Sequence, residues 1–135
     1  MNNPKVTVHQ AAEANTQTVA RAKPQYTELT DSLGRVIKLR RLSPVQESRV
    51  FRAVGNDATN QVYMSGYVLP AAMVAYLDGE PIGLPESIAE IEMVLEDLGS
   101  EGLAAINAHF LDEFKKAQTV MRDAERSAEE VAAKN

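Results

Sequence analysis

Cysteine is absent from the 135-residue chain, and so is tryptophan. Disulfides, thiolate-bound zinc, iron–sulfur clusters and thiol nucleophiles are therefore excluded together. Aromatic residues make up only 5%, which argues against a large aromatic-lined ligand pocket. No apolar run approaches the ~18 consecutive residues of a membrane span. The opening Met1-Asn2-Asn3-Pro4-Lys5 lacks the apolar stretch of a secretory signal, so a soluble, cytoplasmic protein is expected. A last shortage is local: residues 53–114 contain no lysine or arginine at all.

What is present is a hydrophobic content of 44%, enough for the core of one modest domain. The net charge of −5 conceals a block pattern. Residues 21–52 carry eight bases against three acids, 53–114 carry eleven acids, and 115–135 hold five bases and four acids. Two arrangements fit this segregation. The basic block folds against the acidic one and the fields cancel, or an acidic face stays open to a basic partner.

Local signals divide the chain into three parts. Residues 1–24 hold few large apolar residues beyond Val6, Val8 and Val19 and are expected to form a flexible arm. Residues 25–114 form the globular domain, and 115–135 a helical or frayed, charged tail. Asp31-Ser32-Leu33-Gly34 suits a turn between β-rich flanks, which predicts a hairpin spanning 26–40. Ser43-Pro44-Val45-Gln46 reads as a capping box opening a helix to Val54, with Val45, Val50, Phe51 and Val54 inward and Gly55 as the stop. A second helix is expected from about Asn56 or Asp57, kinked or broken at Pro70. The apolar run 69–77 fits a buried helix or a strand equally well. Asp78-Gly79 suits a second short hairpin near 76–82. Ser87 and Glu90 form another capping box, followed by Ile88, Ile91, Val94, Leu95 and Leu98 at helical spacing up to Gly99. A last helix then carries Leu103, Ile106, Phe110 and Phe114. Its stripe continues as a thin seam of Ala117, Met121, Ala124, Ala128 and Val131. The fold class is thus α+β, mostly α: an N-terminal hairpin, a small helical domain and a long C-terminal helix.

Signatures of catalysis are lacking. His9 falls in the arm and His109 at mid-helix, where a structural role suits it better than general base chemistry. The acids lack calcium-loop spacing, and the glycines fit no phosphate-binding motif. No cofactor, metal or catalytic residue is assigned. Arg35, Lys38, Arg40, Arg41, Arg49 and Arg52 could neutralise phosphates, but the acidic block would repel the same backbone, so nucleic acid is disfavoured as a partner.

The ordered segments are more telling together than singly. Residues Asp31-Ser32-Leu33-Gly34-Arg35-Val36-Ile37-Lys38-Leu39-Arg40-Arg41-Leu42-Ser43-Pro44 are followed by Gly55-Asn56 and Asn60-Gln61-Val62-Tyr63. Then come Asp78-Gly79-Glu80-Pro81, Leu84-Pro85-Glu86-Ser87 and Leu98-Gly99-Ser100-Glu101-Gly102-Leu103. This series resembles tail assembly chaperones of long-tailed bacteriophages, over about residues 26–114. The resemblance implies a late viral protein of the host cytoplasm that coats the helical tape-measure protein and keeps it soluble. It also implies recruitment of tail-tube subunits before release, and in some members a frameshifted C-terminal extension. The family has no catalytic motif to carry over.

A holder of amphipathic helices needs an apolar groove and solubilising charge. The candidate groove comprises Ile91, Leu95, Leu98, Leu103, Ile106 and Phe110, rimmed by the acids Glu90, Glu92, Glu96 and Asp97. The competing assignment makes the same apolar residues the core of the domain. The seam beyond Phe114 could also pair with itself, giving a homo-oligomer. Two other functions stay open: a structural tail subunit retained in the virion, and a small nucleic-acid-binding regulator.

Overall fold

A computed structural model describes residues 25–134; the expected arm, 1–24, lies outside them. The fold is α+β and mostly helical. Strands β1 (Thr27–Thr30) and β2 (Val36–Leu39) form the first hairpin. Asp31 shapes its turn, since its Oδ1 accepts the backbone N–H groups of Leu33 (3.0 Å) and Arg35 (2.9 Å). Helix α1 (Pro44–Val54) opens on the expected capping box. Ser43 Oγ accepts the Gln46 N–H at 3.2 Å, and Gln46 Oε1 accepts the Ser43 N–H at 2.9 Å.

Only Val50 and Val54 of α1 are buried, whereas Val45 and Phe51 are exposed. The helical period explains this correction. Val50 and Val54 lie one turn apart on a single line, and positions 45 and 51 are rotated away from it. The second helix also starts later than expected. Gly55–Thr59 is a 3₁₀ turn, and Asn60 caps the following helix by accepting the Tyr63 N–H at 3.0 Å.

Helix α2, residues 61–73, is wound unevenly. Met64–Val68 is a π turn, with the Leu69 N–H donating to the Met64 carbonyl. Pro70 follows immediately. It has no N–H to offer the Gly66 carbonyl four residues back, and Asn107 supplies the missing donor from another helix at 3.3 Å. The apolar run after Leu69 is both helix and strand: Leu69–Met73 completes α2, and Val74–Leu77 is strand β3.

β3 and the short β4 (Glu80–Pro81) form the second hairpin, whose turn has positive φ at both Asp78 (51°) and Gly79 (88°). That pair of left-handed conformations matches the twist of the strands it joins. The two hairpins are joined, because β3 pairs antiparallel with β2 and the four strands form one sheet in the order β1-β2-β3-β4. A bulge in β3 sets Ile37 opposite Leu77 but Leu39 opposite Val74. Val74 and Leu77 are three residues apart, and the extra residue lets both reach the core.

The last helical segment breaks at Gly99, whose φ of 65° and ψ of −174° are not helical. It gives α3, residues 88–98, and α4, residues 100–134. Residues Ile91, Val94 and Leu98 of α3 and Ile106 of α4 join α1, α2 and the sheet in one core. The Gly99 conformation is one that essentially only glycine adopts, so Gly99→Ala is expected to cost about 1–3 kcal/mol. Urea unfolding followed by circular dichroism would measure it. Gly102, in the first turn of α4, is needed for a different reason. A Cβ there would lie 2.9 Å from Leu98 Cδ2 and 3.1 Å from Leu98 Cβ, so the glycine permits α4 to leave α3 at this close angle.

Candidate partner-binding site

The proposed groove residues separate into two groups. Ile91, Leu98 and Ile106 are 0% exposed and belong to the core. They cannot meet a client, which corrects their assignment as a docking surface. The reason is geometric: α3 and α4 bury their apolar faces under the sheet and α2 instead of opening a cleft between themselves. Leu95 and Phe110 are half-buried at the edge of that core, and Leu103 is half-buried as well. Glu92 and Glu96 stand exposed on α3. Glu90 has a structural task, accepting the Glu86 N–H at 2.7 Å while Ser87 Oγ caps the Glu90 N–H at 3.2 Å.

Phe110 alone leads to a usable surface. It lines a groove of about 680 Å³ between the outer end of the sheet and α4, with Tyr26, Leu39, Arg40, Arg41, Met73, His109 and Glu113. One helical turn beyond Phe110 comes Phe114, on the same face. From Leu111 to Ala133 every residue of α4 is exposed. Phe114 (59%), Met121 (65%) and Val131 (61%) stand clear of the domain with Ala117, Ala124 and Ala128 between them. The spacing alternates four and three residues, the pattern of a helix that packs along another helix. This stretch is roughly 34 Å long. The seam thus runs on from a groove of mixed polar and apolar lining, with Phe110 at the junction.

Two arginines of the basic block, Arg35 and Arg40, are engaged elsewhere. Arg35 Nε donates to Asp31 Oδ2 at 2.8 Å, while Nη1 and Nη2 donate to the carbonyls of Asp97 (2.9 Å) and Leu98 (2.6 Å). Those carbonyls end α3, so Arg35 ties the first hairpin to the α3–α4 elbow and complements the negative end of the helix. Arg40 does the same for α2. Its Nη1 donates to the Ala72 carbonyl at 2.8 Å and its Nη2 to the Ile82 carbonyl. Burial lowers the pKa of the Arg40 guanidinium from its ordinary value, with Tyr26 opposing. Lys38 lies 5.6 Å over the Tyr76 ring, which Tyr26 meets edge-on.

Burial would raise the pKa of Asp31, but hydrogen bonds from the Arg35 backbone and side chain and from Leu33, with the Arg35 charge, hold it below the usual range. Among the described residues, the ion pairs are Arg35–Asp31 and Lys116 with Asp112 and Glu113. None of these joins the basic block to the acidic one, although Arg35 is seated on the α3 terminus that carries Asp97.

Sequence reasoning passed over Tyr26, Arg41 and Glu113 as groove residues, because they come from three distant parts of the chain. The 4-3 spacing beyond Phe110 is the one sequence signal that leads to this site. Among the described residues, no helix is long and apolar enough to cross a membrane and no cluster of three or more potential ligands could hold a metal ion. In comparisons with known proteins, the chain matches no family model, no curated protein and no solved structure.

Proposed function

We propose that this protein is a phage tail assembly chaperone, which holds a long helical client by its apolar face until assembly is under way. The single observation that carries this is the exposed seam of α4, continuous with the Phe110 groove and built at the spacing a partner helix requires. The client in this reading is the tape-measure protein, with tail-tube subunits recruited to the complex in the host cytoplasm. The order of segments resembling that family gives the client its name, and the seam gives the mode of contact. The open acidic surface around Glu92 and Glu96 keeps the complex soluble and biases it towards clients with basic faces.

Co-expression with a tape-measure fragment tests the reading. A soluble complex is expected, and Phe114→Asp together with Met121→Asp should abolish it. Failure of the parent protein to retain the fragment, or full retention by the double variant, overturns the assignment. A chaperone released before completion should also be no more than a trace component of purified particles by mass spectrometry.

A further inference from the structure

We infer that, before it meets a client, the seam of α4 is occupied by the seam of a second copy running antiparallel. The inference rests on the seam that the proposed function uses, but not on the identity of any client. Setting Met121 of one copy against Ala124 of the other places Ala117 against Ala128 and Phe114 against Val131. Each large residue then faces a smaller one, and the small pairs allow close approach. Parallel pairing in register would instead stack Phe114 on Phe114 and Met121 on Met121, with alanine on alanine between them. Such layers alternate between too wide and too narrow.

Charge selects the same direction. Repulsion between the globular parts favours antiparallel pairing. Residues 25–114 carry six bases and fourteen acids, a net −8. Parallel helices would hold two such bodies side by side. Antiparallel helices keep them roughly 37 Å apart, several times the screening length of about 8 Å at physiological salt.

The absence of native cysteine gives a clean test. Light scattering on the whole protein should give twice the mass of 14.7 kDa, and Met121→Glu should halve it. Two single variants, Ala117→Cys and Ala128→Cys, are then oxidised separately and mixed. A crosslinked dimer is expected only from the mixture. Position 117 faces 128, and two copies of 117 lie roughly 16 Å apart along the helices, beyond disulfide reach. A monomer mass for the parent protein, or efficient crosslinking of Ala117→Cys alone, overturns the inference. A dimer that captures no tape-measure fragment would sink the chaperone reading and leave this one standing. A monomer that captures the fragment would do the reverse.

Discussion

Ile106→Ala is expected to lower the free energy of unfolding by about 2–5 kcal/mol, the cost of lost burial plus the cavity left behind. Ile106 is 0% exposed and joins α4 to the core shared by the sheet and the other helices. Leu98→Ala should fall in the same range, since Leu98 is equally buried and sits beneath the elbow. Glu92→Ala and Glu96→Ala, on the exposed side of α3, should stay within about 0.5 kcal/mol of the parent. Chemical denaturation of the four variants would separate residues that hold the domain together from residues free to meet a partner. Were Ile106→Ala and Leu98→Ala to leave stability unchanged while weakening client capture, the assignment of these residues to the core would be wrong.

Arg35→Ala is the second large effect. It strips the Asp31 carboxylate of its partner and frees two helix-terminal carbonyls at once, so Tm should fall on the order of 10 °C. Asp31 also gives this contact a pH dependence. Its folded pKa lies below the unfolded value of about 3.9. The stabilisation is therefore complete above that unfolded value and is lost as pH falls through the lower folded one. Unfolding midpoints between pH 2 and 6 should drop at the acid end for the parent and less steeply for Asp31→Asn. Equal slopes would show that Asp31 is not the titrating group.

Much of the fold was legible wherever one or two residues dictate a local conformation. Asp31 to Gly34 and Asp78-Gly79 specify their turns, Ser43 and Gln46 their box, and Gly99 its break. The run 69–77 was ambiguous for a physical reason. Its apolar residues serve first a helix and then a bulged strand, so neither period holds throughout. The joining of two hairpins into one sheet was hidden as well, because β2 and β3 pair across more than thirty intervening residues. The same distance concealed the arginines. Arg35 and Arg40 look like phosphate ligands in sequence, and the carbonyls they serve lie far along the chain. At the candidate site, the periodicity of α3 and α4 revealed an apolar face. It could not distinguish the part that faces the core from the part that faces water, since burial depends on what the rest of the chain brings to that face. The dividing point proved to be Phe110.

That division has a mechanical consequence. Among the described residues, the restraints on the direction of α4 act at its seat: the Gly99 elbow, the Arg35 clamp on the end of α3, the buried Ile106 and the Asn107 bond to Gly66. Val131 lies roughly 36 Å beyond Asn107. The helix is thus a lever, and a tilt of about 10° at its seat would sweep the tip through roughly 6 Å. The hairpin turn at 31–35, far from the tip, therefore aims it.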